Sequence, residues 1–180
     1  MTAHPRRQAQ QAHHDRDDHR SQRGAIAGCH AGLDVVAREH KYLTFLEAPP
    51  IEMTRAFIAN SIANRHPHFV ARDGDRVVGW CDVTPRERPA IRHCGVLGMG
   101  LLPGWRGRGL GRRLIERALE AARAFPLTRV ELAARADNER AIALYRKVGF
   151  EVEGRRRRAM LIDGLYYDDI TMALLFDPAP

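Results

Sequence analysis

Apolar residues at Leu110, Leu114, Ile115, Ala118, Leu119 and Ala122 recur at the spacing of one helical face, with Arg113, Glu116, Arg117 and Glu120 between them. The spacing predicts an amphipathic helix. Just before it, His93 to Leu102 is an apolar run that predicts a strand. The two are joined through Pro103-Gly104 and a turn with glycines at 107, 109 and 111. This strand, turn and helix form the centre around which the remaining pattern is arranged.

Ile26, Leu33, Val36, Ala37, Tyr42 and Phe45 predict a first helix from Ile26 to about Phe45, stopped by Ala48-Pro49-Pro50. A second helix is expected from Glu52 to about Asn64, with Met53, Phe57, Ile58 and Ile62 on one side. Phe69 to Ala71 reads as a short strand, Asp73-Gly74-Asp75 as a hairpin turn, and Arg76 to Val83 as the returning strand. Pro85 to Pro89 makes a loop. Beyond the central helix, Thr128 to about Arg135 predicts a strand. Asp137 or Asn138 then caps a helix that runs to about Lys147 and stops at Gly149. Phe150-Glu151-Val152 opens another strand, Asp163-Gly164 marks a hairpin, and Tyr167 to Phe176 is the last strand. The order α, α, β, β, β, α, β, α, β, β implies an α+β fold around one mixed, largely antiparallel sheet.

Composition narrows the class. The chain of 180 residues is long enough for one domain with one substantial core. We expect a tail over residues 1–24, rich in His, Arg, Gln and Asp, and a folded domain over 25–177. His4 and His13-His14 read as solvated tail rather than as a metal site. No apolar run approaches a membrane span and the N-terminus lacks a secretory pattern, so no membrane association is expected. Cys29, Cys81 and Cys94 have no metal-ligand spacing and cannot all pair, which points to a reducing, cytoplasmic setting. The net charge of +7 suits an anionic ligand without naming one.

The glycine turn supplies the candidate chemistry. Glycines at a strand-to-helix turn let the backbone approach a ligand closely, and a helix N-terminus presents unpaired N–H groups to an anion. Arg106, Arg108, Arg112 and Arg113 surround it. A phosphorylated ligand is the simplest occupant. The P-loop pattern fails because Leu110 stands where lysine is required, and the dinucleotide fingerprint fails because Arg112 stands where its third glycine belongs.

Arg106-Gly107-Arg108-Gly109-Leu110-Gly111 resembles the signature of the GNAT superfamily of acyl-CoA-dependent N-acyltransferases: Arg or Gln, two residues, Gly, one residue, Gly or Ala. A second block, Asp137-Asn138-Glu139-Arg140-Ala141 followed by Leu144-Tyr145-Arg146-Lys147-Val148-Gly149-Phe150, resembles the family's second conserved segment at the family's spacing. The resemblance covers residues 69–176 well and the first two helices loosely. It implies a single GNAT-like domain whose mixed sheet is flanked by helices and splayed at the central strand, beside a bulge. Acetyl-CoA would be the cosubstrate. Met99, Gly100 and Leu101 would pair with its pantetheine and help to stabilise a developing oxyanion. The N–H groups of Gly107, Arg108, Gly109, Leu110, Gly111 and Arg112 would wrap its pyrophosphate. Arg106 opens the motif, Arg108 or Arg113 would lie near the remaining phosphate, and Asn138 would contact the cofactor while capping its helix.

The resemblance further implies that Tyr145 is the general acid for the departing thiolate, although its helical spacing to Ala141, Ile142 and Val148 also suits core packing. The base is less determined. Relatives of the ribosomal-protein acetylating type carry a glutamate five residues before the asparagine, where this chain has Ala133. Glu131, His93 and Asp82 remain as candidates beside a water chain with no dedicated base. The acceptor is expected to be a primary amine of a small molecule, with a protein N-terminus or lysine as the alternative. A basic binding module built on Arg155-Arg156-Arg157-Arg158 is a remote third reading, and nucleic acid is not an expected partner. The pocket would be shaped by Glu39 to Pro50 and by the hairpin Arg155 to Asp169, with Tyr42, Phe45 and Glu47 forming a wall and Asp168 and Asp169 holding the ammonium. A homodimer is expected by analogy with the family.

Overall fold

The computed structural model describes residues 26–176. The expected tail, with its histidines, lies outside the described residues. Helix α1 is helical over residues 26–37, followed by α2 (Ile51–Ala63), β1 (His68–Asp73), β2 (Arg76–Pro85), β3 (Cys94–Leu101), α3 (Leu110–Ala122), β4 (Arg129–Arg135), α4 (Glu139–Lys147), β5 (Glu151–Ile162) and β6 (Leu165–Leu175). The strands form one six-stranded sheet in the order β1-β2-β3-β4-β6-β5. Only β3 and β4 run parallel; every other neighbouring pair is antiparallel. The expected α+β architecture is therefore present.

Side chains alternate across a strand, so the sheet has two distinct faces. One face carries Cys81, Val83, Leu97, Val130, Leu132, Ala134 and Met172, and it packs against Leu114, Ile115, Ala118, Leu119 and Ala122 of α3 and against Ile142 and Tyr145 of α4. This is the main core, with Ile115, Val83 and Val130 fully buried. Burying each such side chain contributes about 1.5–3 kcal/mol. The other face carries Val78 and Trp80 and meets Val36 of α1 and Leu102.

Three expectations need correction. The first helix ends at residue 37 instead of running to about Phe45. Glu39 and His40 turn back with N–H bonds to Val36 and Ala37, and His40 adopts a left-handed φ of 51°. Asp34 competes for the following segment by accepting from the Ala48 N–H at 3.0 Å and from Arg38 at 2.8 Å, which folds residues 38–50 into a loop. In α2 it is Thr54 and Ser61 that are buried, whereas Met53 and Ile62 are each 60% exposed. Finally, the sheet does splay at β3, but without a bulge there. Pairing of β2 with β3 is continuous from Pro85↔Gly95 to Gly79↔Leu101.

Candidate active site

The splay is a matter of where pairing stops. β3 and β4 pair only at Cys94↔Arg129, Gly95↔Val130 and Val96↔Glu131. Beyond Val96 the edge of β3 from Leu97 to Leu101 has no strand partner on that side among the described residues, while β4 continues to Arg135 against β6. Met99, Gly100 and Leu101 thus lie on an open strand edge, where an extended ligand can pair as an added strand.

The chain leaves that edge through a tight turn. Leu102 N–H bonds back to Val78 O at 3.0 Å, Trp105 N–H to Leu102 O at 2.9 Å, and Arg106 N–H to Pro103 O at 3.3 Å. From Gly107 to Arg112 no N–H donates to a backbone carbonyl among the described residues, and the ladder resumes with Arg113 N–H to Gly109 O. Gly107 and Gly109 reach this geometry with φ of 80° and 76°, a region costly to side chains, and a Cβ on Gly109 would meet nothing within 4 Å. The result is an open cradle of donors at the N-terminus of a helix. A pyrophosphate fits it in charge and in hydrogen bonding.

Gly111 has a different job. A Cβ there would lie 3.3–3.4 Å from Leu101, Leu144 and Met99, so the small residue lets α3 close against the strand edge and α4. The guanidinium of Arg106 is not directed outward. Its Nε donates to Leu101 O at 2.9 Å, and its two terminal nitrogens donate to Glu39 at 2.8 and 2.5 Å. Arg108 is exposed, 5.2 Å from the Trp105 ring centroid. Arg112 pairs with Glu116 at 2.7 Å on the exposed side of α3. Sequence reasoning missed Arg140 at the start of α4, whose guanidinium lies against Gly107. Only the fold brings it to the turn.

Asn138 caps α4 by accepting from Ala141 N–H at 3.2 Å, which leaves its amide N–H groups free of partners among the described residues. Tyr145 is 8% exposed and its ring meets Phe150 edge-on at 6.0 Å. Its hydroxyl has no hydrogen-bond partner among the described residues. Burial pushes its ionisation above the usual phenol range, so it stays protonated at neutral pH.

The three base candidates separate. His93 precedes β3 at the end remote from the turn, and its carbonyl accepts from Thr128 and Arg129 N–H. At about 3.3 Å per residue, Met99 lies roughly 20 Å away. His93 is therefore not brought to the site. Glu131 sits at the apex of the splay, but Arg86 donates to it at 3.1 and 2.6 Å and Arg129 at 3.4 Å. Asp82 faces Gly98 across the β2–β3 pair, and burial pushes its carboxyl up to about 7. Thr84 Oγ1 donates to it at 3.3 Å, a smaller effect in the opposite direction.

On the acceptor side the loop and the hairpin do come together: His40 Nδ1 lies 2.9 Å from Asp163 at the hairpin tip. The Arg135 guanidinium lies over two rings, 5.4 Å from the Tyr42 centroid and 4.1 Å from that of Tyr167. Asp168 and Asp169 are not free for an ammonium. Asp168 accepts from Arg155 and from the Arg158 N–H at 2.8 Å each, and Asp169 is paired with Arg156. Glu47 is taken up by Arg38 at 3.3 Å. These same pairs engage two of the four consecutive arginines.

Residues 35–150 match the profile of the Acetyltransferase (GNAT) family. The chain belongs to the GNAT acetyltransferase family. As a member it is an acetyl-CoA-dependent N-acetyltransferase, with acetyl-CoA as the cosubstrate. It is 38% identical over 117 residues to the N-alpha-acetyltransferase RimI of Mycobacterium tuberculosis, covering 64% of this chain and 69% of that one. To the L-amino acid N-acetyltransferase AaaT of Escherichia coli it is 34% identical over 102 residues, covering 56% of this chain and 62% of that one. The fold matches the crystal structure of a GNAT-family acetyltransferase from Streptococcus pneumoniae with a TM-score of 0.78 and 27% identity, over 84% of this chain and 94% of that one. Among the described residues there is no group of three metal-ligating side chains, and no helix is long and apolar enough to cross a membrane.

Proposed function

We infer that the enzyme acetylates a primary amine of a small molecule, such as an amino acid, by direct attack of the amine on the thioester of acetyl-CoA. The observation that carries this reading is the open edge of β3 leading straight into the unpaired N–H groups of Gly107 to Arg112. That edge fits an extended pantetheine, and the turn fits a pyrophosphate. Bound there, acetyl-CoA supplies an activated acyl group, and the protein supplies position and charge stabilisation. Met99 and Leu101 turn their backbone groups to that edge and would hold the pantetheine, with the Leu101 carbonyl shared with Arg106, whereas Gly100 turns its groups to β2. Gly107, Arg108, Gly109, Leu110, Gly111 and Arg112 would hold the phosphates, and Asn138 would add its free amide. Tyr145, on the α4 side, would protonate the departing sulfur. Arg106 would act indirectly, by shaping the turn from below.

The amine would approach from the opposite face, under residues 38–50. A protein N-terminus is the second reading, favoured by the similarity to a RimI that spans 69% of that protein. The free thiols of Cys29, Cys81 and Cys94 fit a cytoplasmic enzyme. Calorimetric titration with acetyl-CoA tests the cofactor site, and thiol release tests the acceptor. We expect turnover with free amino acids or small amines to exceed turnover with peptides. The reverse ranking would select the protein N-terminus, and no thiol release with either class would reject both.

A further inference from the structure

One register line crosses the first three strands: His68 of β1 pairs with Asp82 of β2, which pairs with Gly98 of β3. Residues in register share a face with Cβ atoms about 4.5–5.5 Å apart, so His68 and Asp82 are neighbours on that face, close enough for one water to bridge them but without a direct hydrogen bond. On its other side Asp82 has a glycine. A Cβ on Gly98 would sit 3.3 and 3.4 Å from the two carboxylate oxygens. With no side chain there, the carboxyl lies over β3 close to the edge that β4 has left. Val96, two residues earlier, is still paired to β4.

The surroundings of Asp82 set it apart from the other acids near the site. Glu39, Glu131, Asp168 and Asp169 are each bound by an arginine. Asp82 has none among the described residues. It is faced by the Thr84 hydroxyl on its own strand, by His68 on β1 and by the Gly98 backbone on β3, while the buried Cys81 thiol next in sequence points to the opposite face. His68 is half-buried beneath Phe57 of α2, their ring centroids 5.6 Å apart. Burial holds its imidazole below the ordinary histidine range, so it stays neutral and able to accept.

We propose that Asp82 takes the proton from the acceptor's ammonium group and that His68 passes it on to solvent at the outer edge of the sheet. This rests on the acetyl-transfer reading. An acceptor arriving as R–NH3+ gives one proton to the Asp82 carboxylate. The freed nitrogen lone pair forms the bond to the thioester carbonyl carbon, and the electron pair of the carbon–sulfur bond leaves on sulfur. A second proton from nitrogen balances the thiolate, so the products are one amide, one thiol and one proton released. Asp82 returns to its anion by giving that proton, through a bridging water, to one ring nitrogen of His68 as the other yields a proton to bulk water. Asp82 is a catalytic residue in this scheme, and His68 a positioning and relay residue.

The test compares the full chain with Asp82→Asn and His68→Gln, measuring thiol release against pH with an acceptor that supports turnover. The unaltered enzyme should lose kcat/KM below an apparent pKa of about 7. Asp82→Asn should lose that limb and about 100-fold or more in rate, with acetyl-CoA affinity retained. His68→Gln should lower kcat by about 10-fold without changing the KM for acetyl-CoA, and added imidazole should restore part of the loss. A near-normal rate and an unchanged acid limb in Asp82→Asn would overturn the proposal.

Where no acceptor in the panel turns over, the ring-nitrogen NMR shifts of His68 provide the readout. They should follow the Asp82 titration in the unaltered protein and lose that step in Asp82→Asn. A His68 signal flat from pH 6 to 8 in the unaltered protein would reject the pairing. Failure of the protein to bind acetyl-CoA would instead remove the transfer reading and leave the NMR result standing on its own.

Discussion

Tyr145 carries two roles that single-residue reasoning kept apart. Its ring packs in the main core, meeting Phe150 edge-on, and that burial holds the phenol proton more tightly than in a free tyrosine. Core packing thus fixes the position of the phenol, which gives up its proton only as charge develops on the departing sulfur. Tyr145→Phe keeps the ring and removes only the proton, so we expect a fall in kcat of about 10-fold or more with little change in acetyl-CoA affinity, read by steady-state thiol release and calorimetry. An unchanged kcat would leave Tyr145 as packing alone. Asp82 and Glu131 differ in the same local way. Both are acids on one face of the sheet, but arginines reach only Glu131. Which acid is paired cannot be read along the chain, because Arg86 is 45 residues from Glu131 and meets it only once β3 and β4 run side by side.

At the scale of elements, the glycine turn was legible because its geometry is local. Positive φ at Gly107 and Gly109 and the start of α3 follow from residues within a few positions of one another. Gly109→Val would force a branched side chain into a φ of 76°, a strain of about 1–3 kcal/mol, and would crowd the cradle. We expect acetyl-CoA binding to be lost in calorimetry while the circular-dichroism spectrum is kept. The support beneath the turn was not legible. Glu39 lies 67 residues from Arg106, in a segment whose periodicity suggested helix until Asp34 drew Ala48 into a loop. Glu39→Ala would leave Arg106 holding only the Leu101 carbonyl. Acetyl-CoA should then bind about 10-fold more weakly, a change of about 1.4 kcal/mol, without change in the acceptor preference. An undiminished affinity would mean that the turn holds its shape unaided. The missing bulge in β3 belongs to this scale too: the splay needs only the loss of β4 pairing beyond Val96, which no local pattern announces.

For the whole molecule, the open side of the sheet sets function against stability. The face under residues 38–50 holds an acid with no cationic partner among the described residues, and the fold prefers that acid neutral: burial raises Asp82 from the ordinary 3.8 to about 7. The sign follows from linkage. Below about pH 4 the group is protonated in both folded and unfolded chains and has no effect. Between these values the unfolded chain ionises first, so stability falls as pH rises. Above about 7 the folded chain ionises too and the loss levels off, at about 4 kcal/mol as an upper bound. Asn at this position resembles the neutral acid at every pH. Asp82→Asn should therefore melt at nearly the same temperature as the unaltered protein at pH 4 and at a higher one at pH 8, with the difference opening mainly between pH 5 and 7. Burial of His68 acts in the opposite direction, since a histidine held neutral destabilises the fold as pH falls, but that effect lies below the ordinary histidine range, where Asp82 is mostly protonated and resembles Asn, so it is nearly equal in the two proteins. Thermal melts of the two proteins across pH 4 to 8 measure this directly. A gap of equal size at pH 4 and pH 8 would mean that the carboxyl at position 82 is not held against its ionisation. A gap that opens with pH in a variant that has also lost its rate would identify the same unpaired acid as the element that weakens the fold and drives the chemistry.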